Sequence, residues 1–248
     1  QSDFVKQVNA MPATPVKPVF LDYNKDIQKS KVGNAEVLYV PNKDNAIFRL
    51  RYRYSIGTWN DKKLSLAAQY LSFLGTDKMS AEEITKAFYK IACSFTVSAG
   101  TEYTTVTIEG LQENFDKAVT LYEDLVKNCK VDEEALKGLK ARLTKSRTDA
   151  KASKGAIMNG LVSYARFGSK NPYNYTLSND ELNGVTAAEL TDRLHNLGNY
   201  EHRILYYGPQ PLAQLTASLQ KMHKVPATFT AAPAKVKFDN AVQSKNQV

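Results

Sequence analysis

The 248-residue chain contains few of the side chains that usually build disulfide scaffolds and metal sites. It has two cysteines, Cys93 and Cys129, and three histidines, His195, His202 and His223. Two cysteines are too few for a disulfide framework and no C-x-x-C pair is present, so we interpret both as small core residues. The histidines lack the spacing of ligands that share one metal ion.

Long apolar runs and phosphate-binding motifs are also missing. The chain has no stretch of about 18 apolar residues, so no membrane-spanning helix and no membrane partner are predicted. The net charge is +8, and the densest basic run, residues 137–154, lies on a predicted helix that also carries acidic residues. Because that run lacks interleaved aromatic residues, it indicates a solvated helix face, and no nucleic-acid partner is predicted.

The patterns that are present predict an α+β fold. Residues 46–55 alternate strictly between apolar and polar, which is typical of a half-buried strand. With residues 35–42 they are predicted to form a long hairpin. Helical stripes and capping boxes, such as the one at Ser80, place helices in clusters between further strands. This order favours a mixed, mainly antiparallel sheet with helices packed on one face. The predicted core includes Phe48, Leu50, Tyr52, Leu71, Phe115, Tyr122, Leu125 and Ile204.

Four segments, in this order, resemble one domain of the pitrilysin (insulinase-type) zinc metallopeptidases. They are "YRYSIGTWND", "LAAQYLSFLGTDKMSAEEI", "CSFTVSAGTEYTTVTIEGLQENFDKAVTLYEDLV" and "NYEHRILYYGP". The resemblance covers about residues 35–223. It implies a parent protein that hydrolyses peptides with the help of a zinc ion.

Active members of that family carry H-x-x-E-H on the helix that precedes a Gly-Thr pair. Two histidines four residues apart bind zinc from one helical face, and the glutamate activates the zinc-bound water. Aligning the Gly-Thr pair with residues 75–76 places the two histidine positions at Leu66 and Tyr70 and the glutamate position at Gln69. The third ligand of the family, a glutamate, falls near Ser146. None of these four side chains suits its role, so the resemblance implies that this segment holds no zinc and is inactive.

If this helix serves only packing, Leu66 should be buried, and Tyr70 should be packed with its hydroxyl bonded to a partner. Arg166 and Tyr173 are weaker candidates, as peptide contacts. The inactive half of the family often supplies an Arg and a Tyr, seven residues apart, that grip the substrate backbone. Gly168 and Pro172 interrupt the expected context here.

We therefore predict three segments: an N-terminal extension and linker (1–34), a noncatalytic peptidase-like domain (35–223) and a connector to a following domain (224–248). The final "NQV" of the connector is interpreted as the beginning of a strand. The domain would be the third of four in a zinc endopeptidase and would line its peptide chamber, with zinc bound only in the catalytic domain of the parent.

The predicted partners are a peptide substrate and the catalytic N-terminal half. A different interpretation is a stand-alone noncatalytic subunit that pairs with a separate zinc peptidase, and a basic nucleic-acid-binding domain is a third, less favoured one. The first residue is Gln1, which is interpreted as a processed or engineered end, and a periplasmic or secreted location is favoured over a cytoplasmic one. The substrate is not predicted.

Overall fold

Six strands form one mixed sheet in the computed structural model, which describes residues 1–12, 17–18 and 20–241. The strand order is β1-β2-β6-β3-β5-β4; β2 and β6 are parallel, and every other neighbouring pair is antiparallel. The predicted α+β class is therefore confirmed. The strands are β1 (Gln28–Val32), β2 (Ala35–Pro41), β3 (Ile47–Tyr54), β4 (Cys93–Ala99), β5 (Thr104–Leu111) and β6 (His202–Gly208).

The helices follow the predicted caps and stripes. Ser80, Ser178 and Thr186 each accept a hydrogen bond from the backbone N–H three residues on, and the glutamate at that position bonds back, as a capping box requires. The helices are α1 (Asp3–Ala10), α2 (Tyr23–Asp26), α3 (Leu64–Leu71), α4 (Ala81–Lys90), α5 (Phe115–Asn128), α6 (Glu133–Ala150), α7 (Lys154–Phe167), α8 (Asn179–Gly184), α9 (Ala187–Asn196) and α10 (Leu212–Met222). None of the helices in the described ranges is long and apolar enough to cross a membrane.

The core lies between the helices and one face of the sheet. In β3, Phe48, Leu50 and Tyr52 are fully buried, whereas Arg49 and Arg51 are exposed on the opposite face. The alternation in the sequence therefore predicts the covered face correctly. All eight predicted core residues are buried: Phe48, Leu50, Tyr52, Leu71, Phe115, Tyr122, Leu125 and Ile204. Both cysteines are also buried and unbridged, as expected of small core residues.

The predicted hairpin over residues 35–55 is wrong. Strands β2 and β3 both form, but they do not pair with each other, because β6 lies between them. Val37 of β2 faces Ile204 of β6 in parallel register, and Tyr52 of β3 faces the same Ile204 in antiparallel register. A turn signal between two strands identifies a change of direction, but it does not exclude a distant strand from the space between them.

The predicted N-terminal extension contains ordered structure. Residues 28–32 form β1, which pairs with β2, and Val32 belongs to the core. The assignment of these residues to an extension is therefore wrong, since the sheet begins at Gln28. The division into a domain and a connector stays a prediction. The described part of the connector runs along the domain, with the N–H of Ala241 donating to the carbonyl of Arg166 (2.8 Å). The predicted strand start at "NQV" lies outside the described residues.

Candidate functional site

Helix α3 carries the three positions that the sequence resemblance aligns with a zinc motif, and its apolar side chains face the core. Leu64, Ala67, Ala68 and Leu71 are buried on it. The Gly-Thr pair follows shortly after the helix. A Cβ atom at Gly75 would lie 2.6 Å from the carbonyl oxygen of Met79, so the tight turn that leads into α4 requires glycine there.

Leu66 and Tyr70, one turn apart on α3, are part of the packed core. Their exposed fractions are 3% and 0%. The Tyr70 hydroxyl donates to the carbonyl of Asp132 (2.8 Å) and accepts from the N–H of the same residue (2.8 Å). Asp132 in turn caps α6 through its side chain, which accepts from the N–H of Ala135 (2.8 Å). The expected burial of Leu66 and the expected partner for the Tyr70 hydroxyl are therefore confirmed.

Burial also governs the chemistry of Tyr70. It raises the pKa of the phenol above its ordinary value, so the hydroxyl stays protonated at neutral pH. A protonated phenol is a poor metal ligand, and this one already donates to and accepts from the backbone of Asp132. Tyr70 thus ties α3 to the start of α6 and does not act as a ligand.

Gln69 differs from its neighbours because it is exposed. Its amide nitrogen donates to the carbonyl of Ser65 one turn earlier (3.2 Å). It lies at the border of two cavities of about 540 Å³ each. One of them is apolar and includes Phe88 and Phe95. The other is bounded by Leu66, Arg147 and further aromatic side chains. A glutamine side chain cannot take up a proton, so this position supplies no general base.

Ser146, the position predicted nearest to the third zinc ligand, is exposed on α6 and does not line either cavity beside Gln69. Arg147 lines one of them instead. Its guanidinium donates to the side-chain oxygen of Asn179 (2.7 Å) and to the carbonyl of Leu177 (2.7 Å). The cavity beside Gln69 is therefore lined by the positively charged Arg147, whereas a metal site would require a carboxylate there.

These residues do not fit a zinc ion. Zinc in proteins takes thiolate, imidazole and carboxylate ligands, and Leu66, Gln69 and Tyr70 supply none of them. In the part of the chain that the structure describes, no three His, Cys, Asp or Glu side chains are grouped so that they could hold a metal ion.

Tyr173 and Arg166, the weaker candidates, occupy different surroundings. Tyr173 lines the same cavity as Leu66 and Gln69, and its ring lies against Gly160 of α7. Arg166 is not among the residues that line this cavity, and its guanidinium lies 5.2 Å from the ring centroid of Phe167. The role of the two residues as peptide contacts stays a prediction.

One polar cluster was not foreseen from the sequence. His202 Nε2 and His223 Nε2 are 2.9 Å apart. His223 Nδ1 lies 2.8 Å from the Glu123 carboxylate, and His202 Nδ1 lies 2.8 Å from the carbonyl of Tyr200. The cluster is therefore a hydrogen-bonded network that joins β6 to α5 and to the end of α10.

The sequence contains one signal for this cluster. His202 alternates with Ile204 and Tyr206 on the buried face of β6, which predicts a buried imidazole. Burial lowers the pKa of His202 to about 4. The contact with His223 could not be foreseen, since that residue lies at the end of α10.

The thiols offer no reactive nucleophile. Cys129 Sγ lies 3.4 Å from His195 Nε2, but burial raises the pKa of this thiol to about 11, so it is not a thiolate at neutral pH. Burial raises the pKa of Cys93 as well. Both cysteines are therefore packing residues.

Comparison with known proteins agrees with the fold described above. Residues 66–181 match the family model described as "Insulinase (Peptidase family M16)". This segment is therefore similar to the insulinase family. No curated protein sequence matches the chain. The family model covers the segment from α3 to α8, which includes all the motif positions discussed above.

Solved structures share the insulinase-type fold at low sequence identity. An M16 inactive domain from Pseudomonas fluorescens is 18% identical with a TM-score of 0.70, over 86% of this chain and 53% of that one. The FusC ferredoxin protease, solved in complex with Arabidopsis ferredoxin, is 16% identical with a TM-score of 0.71, over 92% and 26%. The periplasmic protease PqqL from Escherichia coli is 12% identical with a TM-score of 0.70, over 96% and 29%. The chain thus spans between about a quarter and about half of the length of these structures.

Proposed function

We propose that this chain is a noncatalytic domain of a pitrilysin-type zinc endopeptidase, in which the helix that corresponds to the catalytic helix has become a packing element. The observation that carries the proposal is the bond between the Tyr70 hydroxyl and both backbone groups of Asp132. This contact, together with the burial of Leu66, fills the face that would hold the metal. The insulinase family is zinc-dependent in general, so zinc would be bound in the catalytic domain of the parent.

An exposed apolar face on helix α7 supports the proposal. Helix α7 has no buried residue in the domain. Large apolar side chains on it are 48–62% exposed: Ile157, Met158, Leu161, Val162 and Tyr164. An exposed apolar patch of this kind is typical of a surface that another protein unit covers. The connector reaches the end of α7 at Arg166, which agrees with an architecture in which further units pack beside this helix.

In this role the domain would hold a wall of the peptide chamber, with Gln69 and Tyr173 beside a cavity that a substrate side chain could enter. The parent would cleave peptides or proteins, as the similar proteases in the comparison do, in the periplasm or outside the cell. The alternative is a separate noncatalytic subunit that assembles with a zinc peptidase subunit. Both versions require a catalytic partner that contains H-x-x-E-H.

An antibody raised against the purified chain distinguishes these versions in the source cells. Immunoprecipitation is followed by measurement of the mass of the captured polypeptide and by peptide sequencing. A polypeptide well above 27.6 kDa that contains H-x-x-E-H supports a domain of a larger peptidase. If the captured polypeptide has about that mass and co-precipitates with a second chain that contains H-x-x-E-H, the result supports the subunit version. A polypeptide near that mass without any such partner would contradict the proposed function.

A further inference from the structure

The sheet has a second face that carries a concentration of positive charge. We call it the open face, because no helix in the described ranges covers it. Strand register places exposed residues of five strands in rows across it: for example, Arg53 lies between Arg203 of β6 and Thr105 of β5. The cations of this face are Lys29, Lys31, Arg49, Arg51, Arg53 and Arg203.

Carboxylates on the open face neutralise only part of this charge. Glu109 forms an ion pair with Arg49 (2.7 Å), and Glu36 forms one with Arg203 (3.1 Å). Arg51 has no carboxylate partner among the described residues, and neither does Arg53. The central part of the face therefore keeps at least two uncompensated guanidinium groups.

The position of Arg53 is unfavourable for folding alone. It lies directly opposite Arg203 in the antiparallel register of β3 and β6, and like charges at opposite positions destabilise a sheet. The ring of Tyr103, 3.9 Å from the Arg53 guanidinium carbon, fixes the orientation of that group without neutralising its charge. Residues that conflict with local stability in this way are expected at functional surfaces.

Arg51 and Arg53 border a cavity of about 370 Å³ on this face. The cavity also includes Thr101, Thr105 and Leu205, which offer hydroxyl groups and an apolar contact. One carboxylate, that of Glu102, is part of the wall. Lys235 already pairs with Glu102 (3.0 Å), so this carboxylate does not compensate the two arginines.

We propose that the open face binds an acidic polypeptide segment whose carboxylates pair with Arg51 and Arg53. Alternate side chains of a strand are about 6.8 Å apart, and an extended peptide repeats its side chains at the same interval. Acidic residues at alternate positions of such a peptide therefore match the two guanidinium groups. Arginine can bind each carboxylate with two parallel hydrogen bonds, which a lysine cannot do.

The remaining composition of the face favours a polypeptide over other anions. Leu205 and Tyr207 lie beside the arginines, and Tyr207 is 43% exposed. Arginine and tyrosine next to aliphatic groups are typical of protein interfaces. The inference concerns a surface separate from α3 and does not depend on the proposed peptidase role.

Titration of the purified chain with a labelled peptide tests the inference. The probe is a peptide of about ten residues with alternating glutamate and threonine, and the matched control peptide has glutamine in place of glutamate. Fluorescence anisotropy is measured at about 50 mM salt, where exposed charges are weakly screened. The acidic peptide should bind and the control peptide should not. The double variant Arg51→Gln/Arg53→Gln should bind the acidic peptide with an affinity reduced by at least about tenfold.

A variant with the same loss of charge elsewhere is the control for net charge. Lys137→Gln/Lys145→Gln removes two exposed cations from α6 and should bind within about twofold of the unchanged chain. Arg51→Lys/Arg53→Lys should lie between the two double variants, because it keeps the charge but not the paired hydrogen bonds. The double glutamine variant should fold and should melt close to the unchanged chain, because both replaced side chains are exposed.

Two groups of results would overturn the inference. The first is binding that falls equally in both glutamine variants, or that does not distinguish the acidic from the neutral peptide. The second is tighter, Arg51- and Arg53-dependent binding of single-stranded DNA or of phosphatidylglycerol vesicles, which would assign the face to a different anion.

Discussion

Replacing Leu66 with alanine tests whether α3 is now a packing element. The side chain is 3% exposed, so nearly all of its three additional carbon atoms would lose their buried environment. At about 0.8 kcal/mol for each buried methylene, the transfer term is about 2.4 kcal/mol. The space left behind adds a further cost. This cost is smaller than in a closed core, because Leu66 borders a cavity that opens to solvent.

The expected loss of unfolding free energy is therefore about 2–4 kcal/mol. For a domain of this size it corresponds to a decrease of roughly 6–12 °C in melting temperature. Urea and thermal unfolding, followed by circular dichroism, measure both quantities. Gln69→Ala is the matched control on the same helix, since its side chain is exposed, and it should change stability by less than about 0.5 kcal/mol. An unchanged melting temperature for Leu66→Ala would refute the packing role and would favour a surface that lines the chamber.

Two further substitutions test contacts elsewhere in the fold. Tyr70→Phe removes the hydroxyl that bonds both backbone groups of Asp132, and it should lower the free energy of unfolding by about 1–3 kcal/mol in chemical denaturation. The control Tyr89→Phe, at a residue that is 86% exposed, should leave this free energy unchanged. Equal effects of the two substitutions would refute the stabilising role of the Tyr70–Asp132 hydrogen bonds. Burial lowers the pKa of His202 from about 6.5 to about 4. Between these two pH values the imidazole of His202 is protonated in the unfolded chain and neutral in the folded chain. Stability should therefore fall by about 3 kcal/mol between about pH 6.5 and 4, and His202→Gln should lack this part of the pH dependence; parallel profiles for the two proteins would contradict the assignment.

Local patterns in the sequence predict much of this fold. Strict alternation in β3 identifies the buried face, because side chains of a strand point alternately to its two sides. The apolar stripe of α3 likewise predicts the burial of Leu71. Pairing between distant segments is different: the insertion of β6 between β2 and β3 depends on the whole sheet, and no local signal records it.

The same distinction applies to the candidate site. That Leu66, Gln69 and Tyr70 lack ligand chemistry follows from their side chains alone. The partner of the Tyr70 hydroxyl could not be predicted, since Asp132 lies far away in the sequence and uses only backbone groups. Ser146 was placed by alignment along α6, but the helix turns Arg147 toward the cavity instead. A displacement of one residue on a helix rotates a side chain by about 100°, and sequence spacing does not resolve that difference.

Metal content of the purified chain tests the central claim most directly. The chain is equilibrated with a small excess of zinc, desalted and measured by inductively coupled plasma mass spectrometry, while cleavage of a mixed peptide substrate is followed with and without a chelator. The noncatalytic assignment predicts far less than one zinc per chain and no cleavage. About one zinc per chain, with cleavage that the chelator abolishes, would contradict it.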